Sequence, residues 1–276
     1  MDTMRVDLHL HSHVSDGQVA PELLVHAALA AGLQVIALTD HDTVAGVDEA
    51  QRAAWGTALR VVPGIEVSTR HQGHELHILG YWVDPNAAGL QEHQRLSVGR
   101  RERRMHAMIE RLHGLGVPVA FERVRALAGA AAKSLGRPHL ARALLEAGHI
   151  RSFPEAFDRF LAEGKPGFVA EGFPSVGEAV EMIHAAGGVA AWAHPPLELF
   201  AEFIADFAAL GMDGVECFRP GYDVDDSRAL LAGAARLGLF PTGGSDWHGP
   251  AGRLALGDFY VEAEAVRELL ARGAHA

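Results

Sequence analysis

Histidines and carboxylates recur at one kind of place in this chain, nine of them candidate metal ligands. His9 and His11 occupy alternate positions at the end of an apolar segment, so a strand there turns both imidazoles to one side. Asp16 follows in a loop. Asp40, His41 and Asp42 close a second apolar run, Glu66 closes a third, and His77 lies in a fourth. His194 ends a later run, and Asp246 and His248 follow the last one. A lone histidine at a strand end is most often a hydrogen-bonded structural residue. Ligand types recurring at the ends of successive strands point instead to a multinuclear metal site. Mixed imidazole and carboxylate donors suit Zn, Mn or Fe, whereas all-oxygen sets suit Mg or Ca. His13, His26, His71, His74, His93, His106, His113, His149, His184 and His275 hold no such place and are assigned to the surface or to packing.

The elements that must position these residues follow from hydrophobic rhythm. Strands are expected at Arg5–Leu10, Val35–Thr39, Leu59–Ile65 and Leu76–Tyr81, then at Val189–Ala193, Gly214–Cys217 and Leu239–Thr242. Helices are expected at Pro21–Ala31, Thr43–Trp55, Val176–Ala186, Phe200–Leu210 and Ser227–Leu237. Repeated strand-then-helix units imply an α/β barrel or parallel sheet with helices outside. Ligands at the carboxyl ends of strands are where such a barrel places its active site. From about Leu90 to Gly167 the rhythm fails and the pattern is helical. Arg101, Arg104, Met108 and Leu112 keep a near-helical spacing that Gly114 and Gly116 stop, and further helices are expected at Phe121–Ala128, Pro138–Ala147 and Pro154–Ala162. The expected organisation is a barrel formed by 1–90 and 168–276, interrupted by a small helical domain over 91–167.

Composition narrows the class. With 276 residues, 49% of them hydrophobic, the chain can bury a sizeable core, and no apolar run is long enough to cross a bilayer. Met1-Asp2-Thr3-Met4-Arg5 does not resemble a secretion signal, so a soluble cytoplasmic protein is the expectation. A single cysteine, Cys217, excludes an internal disulfide framework. The net charge of -11 argues against general coating of nucleic acid. That charge is unevenly spread: Arg95 to Lys165 carries 14 Lys/Arg against 7 Asp/Glu, the remainder 10 against 28. A basic segment inside an acidic chain is a sensible holder for an anionic substrate.

Six strings carry a family resemblance. Asp7-Leu8-His9-Leu10-His11-Ser12 with Ser15-Asp16-Gly17 resembles the first motif of the polymerase and histidinol phosphatase (PHP) superfamily. Thr39-Asp40-His41-Asp42 resembles its second. Gly64-Ile65-Glu66, Glu75 through Tyr81, Ala193-His194-Pro195 and Gly244-Ser245-Asp246-Trp247-His248 complete the set in order. The resemblance spans essentially the whole chain. It implies a distorted (β/α)7, TIM-like barrel of the PHP fold with two or three divalent ions, manganese first and iron or zinc as alternatives. Carried over motif by motif, His9, His11, Glu66 and Asp246 would hold one ion. Glu66 would bridge to a second, held by His77 and His194, and Asp16, His41 and His248 would hold a third. Asp40 would stand behind the ligands and orient His41 or a neighbour. A hydroxide between two ions would then attack phosphorus in line with the leaving oxygen.

The segment between the motifs resembles a particular branch. Gly136-Arg137-Pro138-His139-Leu140-Ala141-Arg142, Gly164-Lys165-Pro166, and the pair Arg101 and Arg104 are similar to the insertion of the nucleoside 3',5'-bisphosphate phosphatase and 5'-3' oligoribonuclease branch. That resemblance implies a cap in which Arg101, Arg104, Arg137 and His139 bind a phosphorylated nucleotide or a short 5'-phosphorylated oligonucleotide. No membrane contact and no stable protein partner are expected. The competing expectations are a histidinol-phosphate or other small-molecule phosphatase, and a non-catalytic, metal-stabilised module serving a polymerase or another partner. An amidohydrolase commonly uses a lysine on a barrel strand, and the chain's only lysines, Lys133 and Lys165, both fall in the insertion.

Overall fold

The structure, a computed structural model, describes residues 3–252 and 254–273; His275 lies outside them. Short runs of β-branched and aliphatic residues form β1 (Arg5–Leu10), β2 (Val35–Leu38), β3 (Arg60–His71), β4 (His74–Tyr81), β5 (Val189–Trp192), β6 (Gly214–Phe218), β7 (Phe240–Gly243) and β8 (Val261–Glu262). They make one sheet in the order β7-β6-β5-β4-β3-β2-β1-β8. A parallel bridge from Leu10 to Trp247 joins the segment after β7 to the end of β1, which curls the sheet into a nearly closed barrel. The Tyr81 hydroxyl on β4 meets the Thr242 hydroxyl on β7 at 3.1 Å. Those strands are three places apart in the sheet, so the bond crosses the barrel interior.

Strand direction departs from a simple repeat. β4 runs antiparallel to both β3 and β5. The cause is local: β3 and β4 are joined by Gln72 and Gly73, both at positive φ, and so tight a turn can only join antiparallel strands. β3 also continues six residues beyond Ile65, so Glu66 sits within a strand rather than at its end. β8 pairs antiparallel with β1 and has no counterpart in the expected elements.

Helices α1 (Pro21–Ala30) and α2 (Val47–Ala54) cover the first strands. The second starts later than Thr43 because Thr43 turns its hydroxyl to Gln94 and accepts from the Ala45 amide, which holds 43–46 as a loop. Next come α3 (Ala88–Gly114), α4 (Phe121–Ala128), α5 (Arg137–Glu146) and α6 (Phe153–Ala156), the last continued by a π-helical turn over Phe157–Leu161. The chain returns to the barrel through α7 (Val176–Ala185), α8 (Leu197–Ala209), α9 (Val224–Arg236) and α10 (Arg267–Arg272). Side-chain caps start α7 at the expected Val176 and α9 at Val224, three residues before the expected Ser227: Ser175 accepts from Glu178 N, and Asp223 from Asp225 N and Asp226 N.

Apolar packing separates the two parts of the molecule. Ile65, Ile78, Trp192, Phe203 and Phe207 belong to a cluster between the sheet and α7 to α9. Met105, Met108, Leu112, Val124, Leu140, Leu144 and Leu161 form another cluster, made by α3 to α6, the π-turn and the loops between them. α3 bridges them, because Leu90 in its first turn packs with the barrel residues while Met105 to Leu112 pack with the insertion. One continuous helix therefore packs in both clusters.

Candidate metal centre

The nine candidate ligands converge on one pit. His9 lies in β1 and His11 just past it, Glu66 in β3 and His77 in β4; His41, His194 and the Asp246–His248 segment follow β2, β5 and β7. Asp16 reaches back from the loop after β1. His9, His11, Asp16 and Glu66 form the floor and are buried to within 2% of zero exposure. His41, His77, His194, Asp246 and His248 are partly exposed at the rim.

Glu66 organises the floor. Its Oε1 faces His77 Nδ1 and His194 Nε2, each at 2.9 Å. Its Oε2 faces His41 Nδ1 at 3.0 Å, His11 Nε2 at 3.2 Å and His9 Nε2 at 3.3 Å. Asp246 Oδ1 closes the second side, 3.2 Å from His11 Nε2 and 3.5 Å from His9 Nε2. Asp16 forms a further corner, with Oδ1 3.2 Å from His248 Nε2 and Oδ2 3.7 Å from His41 Nε2. Three sets of donor atoms, from His11–Asp16–His41–His248, His9–His11–Glu66 and His41–Glu66–His77, each fall within 4.8 Å of one another.

A test of fit lies in the unpartnered atoms. Buried polar atoms are almost always hydrogen-bonded. Here His9 Nε2, both nitrogens of His11, His41 Nδ1 and Glu66 Oε2 are buried without a hydrogen-bond partner, although they lie close together. Clustered donor atoms left without hydrogen-bond partners are what a divalent cation satisfies. Charge agrees. Burial alone would raise the carboxyls of Glu66 and Asp246, yet the surrounding imidazoles hold both well below the usual carboxylate range. At His41 burial wins over the carboxylates and pushes the imidazole down to about 3, keeping it in the neutral form that can ligate.

Residues behind the pit fix the tautomers. Glu216 on β6, fully buried, takes His9 Nδ1–H at 2.9 Å and the His194 backbone N–H at 2.7 Å. His248 donates from Nδ1 to the Asp246 carbonyl at 2.8 Å, leaving Nε2 for Asp16's side of the pit. Asp7 accepts from the His9 and Ser245 amides and ties β1 to the last motif. Sequence spacing does not single out Glu216, but a lone acid inside the apolar strand Gly-Val-Glu-Cys-Phe is the signal that reveals it. Asp40 is buried and accepts from the Ser12 amide and hydroxyl and from the Ser15 hydroxyl, at 2.6–2.8 Å. It thus shapes the turn that presents Asp16 and makes no bond to the His41 ring. Asp42, His194 and Asp246 adopt positive φ, and backbone strain of this kind gathers at functional sites.

The four expected substrate residues are close by but variously committed. Arg101 is buried and donates to Asp42, Ser68 and the Leu135 carbonyl through all three nitrogens. Arg104 makes a two-pronged pair with Glu75 and bonds the Val169 carbonyl. Arg137 shares Glu75 at 3.1 Å and keeps its side chain 21% exposed. Phe168 packs against the guanidinium groups of Arg104 and Arg137, and Phe173 against those of Arg101 and Arg104. His139 accepts the Gly136 amide at Nδ1, so its Nε2 is the donor, and burial pushes it down to about 4. His93, assigned to surface or packing, is instead buried against Asp42 at 2.9 Å.

The PHP domain family matches residues 7–114. A 5'-3' exoribonuclease of Haemophilus influenzae is 38% identical to this chain, covering 92% of it and 94% of the relative. The chain belongs to the PHP family. A 3',5'-nucleoside bisphosphate phosphatase of Chromobacterium violaceum is 34% identical over 89% of this chain and 87% of its own length. A solved structure from Bifidobacterium adolescentis, described as a metal-dependent phosphoesterase, superimposes with a TM-score of 0.87 at 32% identity, over 97% of this chain and 96% of that one. This PHP protein is a metal-dependent phosphoesterase, and the His/Asp/Glu pit is where its barrel gathers groups able to hold metal. Among the described residues no helix is long and apolar enough to cross a membrane.

Proposed function

We propose that this phosphoesterase removes the 3'-phosphate of nucleoside 3',5'-bisphosphates to leave the 5'-monophosphate, and acts by the same step on short 5'-phosphorylated oligonucleotides. The observation that carries the reading is Glu66, whose two oxygens face separate imidazole groups on either side. His9, His11, Glu66 and Asp246 would hold one divalent ion, Glu66 with His77 and His194 a second, and Asp16 with His41 and His248 a third. Manganese is the metal proposed first, and iron and zinc suit the same mixed imidazole and carboxylate donors. When bound, the ions lower the pKa of coordinated water and neutralise charge on phosphoryl oxygens.

The chain's own residues hold and orient the substrate. Glu216 and the Asp246 carbonyl take the Nδ1 sides of His9 and His248, so Nε2 of each would be the atom that ligates an ion. The helical segment 91–167 serves as the cap. Arg137, beside Glu75 and 21% exposed, would meet the second phosphate, and the neutral His139 would offer an N–H. A cleft of about 870 Å³ runs from Asp246 and His248 to Leu127, Leu145 and Phe153 of the cap. It leaves room for a nucleoside beside the phosphate.

The test is phosphate release from adenosine 3',5'-bisphosphate by protein loaded with Mn²⁺, with a chelated control. Metal-dependent conversion to AMP is expected. Metal-loaded protein that leaves this substrate and 5'-phosphorylated oligonucleotides intact, while hydrolysing histidinol phosphate, would overturn the nucleotide reading.

A further inference from the structure

Asp42 follows His41 and holds φ 54°, a backbone region that costs a residue with a side chain energy unless its surroundings impose it. The surroundings here are specific. The Asp42 amide donates to the Glu66 carbonyl, and the Glu66 amide donates to the Asp40 carbonyl, so the backbone of His41 is pinned on both flanks to Glu66. The Asp42 side chain is pinned as well. Its Oδ1 accepts from Ser68 N and His93 Nε2, each at 2.9 Å, and its Oδ2 accepts from Arg101 Nε at 2.8 Å and Nη2 at 2.5 Å.

His93 and Arg101 both belong to α3, eight residues apart and so on one face about two turns from each other. Both are buried, as is Ser97 between them. Arg101 reaches two further segments, donating to Ser68 Oγ at 2.8 Å on β3 and to the Leu135 carbonyl at 3.1 Å before α5. A substrate phosphate could take the Nε and Nη2 fork of Arg101 only by displacing a buried carboxylate already bonded there.

We infer that Arg101 and His93 are positioning residues for the metal centre, acting through Asp42 to fix the direction of His41, and that Arg101 does not contact the substrate. The inference rests on the reading that His41 holds metal. It makes α3 a strut: the helix that carries the cap's core also sets one of the imidazoles in the pit, so cap and centre are aligned by the same contacts.

The experiment measures metal content per chain together with kcat and KM for Arg101→Ala, Arg101→Lys and Asp42→Asn, with His41→Ala alongside. Arg101→Ala should lose bound metal and lower kcat by about 10- to 100-fold, the usual effect of removing a group behind a ligand, and leave KM unchanged. Arg101→Lys, which restores the charge but not the fork, should recover part of the metal. Asp42→Asn keeps the acceptor for Ser68 and should reproduce the loss even where Arg101→Ala does not fold. Full metal content and native kcat with a raised KM in the arginine variants would overturn the inference and return Arg101 to the substrate. Full metal in Asp42→Asn would overturn it too. If His41→Ala itself keeps its metal and turnover, the reading of His41 as a ligand fails first; if only His41→Ala is impaired, the strut alone fails.

Discussion

Replacing Glu216 with glutamine should disarm His9 without removing any candidate ligand. Glu216 is buried with Oε1 at 2.9 Å from His9 Nδ1 and Oε2 at 2.7 Å from the His194 amide. An ionised carboxylate only accepts, so His9 carries its proton on Nδ1 and turns an Nε2 lone pair into the pit. Glutamine has one acceptor and one donor group. If its carbonyl takes the His194 N–H, its NH2 faces His9 Nδ1, and the imidazole proton moves to Nε2, the atom needed for metal. If the amide is reversed, its NH2 meets the His194 N–H and two donors collide. Either orientation spoils one buried hydrogen bond, which costs about 1–3 kcal/mol. For a chain of this size that is roughly 2–6 °C in Tm. Loss of a group that orients a ligand also lowers metal affinity or turnover about 10- to 100-fold. The assay pairs thermal melts with and without Mn²⁺ with a competition titration against a chromophoric chelator. The variant should lose more of its metal-dependent gain in Tm than of its metal-free Tm. Native affinity, native turnover and an unchanged melt would refute the assignment of His9's tautomer to Glu216.

Three further outcomes are expected. His41→Ala and Asp246→Ala should each abolish phosphate release while far-ultraviolet circular dichroism stays native; full activity in either would sink its place in the centre. Arg137→Ala should mainly raise KM for a doubly phosphorylated substrate, since the residue is partly exposed beside the pit and held there by Glu75; an unchanged KM would remove it from substrate binding. Cys217 is fully buried, and burial together with the charge of Glu216 pushes its thiol up to about 12. It should therefore resist alkylation in the native protein and react only after unfolding, which mass spectrometry of iodoacetamide-treated samples reads directly.

Much of the barrel was legible because its signals are local. Apolar runs of four to six residues mark β1, β2, β5, β6 and β7 to within a residue or two, and Pro21, Gly114 and Gly116 mark helix ends by their backbone preferences. The direction of β4 was harder, since it depends on the two-residue turn at Gln72-Gly73 inside what reads as one polar loop. The length of β3 was hidden for a related reason. Beyond Ile65 the strand alternates Glu66 and Ser68 with Val67 and Thr69, and polar residues that face a pit look like solvent-facing ones in sequence.

The limits at the site have the same origin. His9 and His11 declare themselves because their spacing of two fixes a shared face within one strand. Arg101 and Arg104 also show their spacing, but a helix face says nothing of what lies opposite it, and what lies opposite is supplied by Asp42 and Glu75 on other segments. Both acids sit inside recognisable motifs, one beside His41 and the other two residues from His77. An arginine-rich insertion in an acidic chain therefore has two uses for its charge. Some guanidinium groups neutralise the acids that frame the centre, and the more exposed ones, such as Arg137, are those proposed to meet a phosphate. Counting basic residues overstates the phosphate-binding capacity of the cap; subtracting the buried acids that face it gives the better measure.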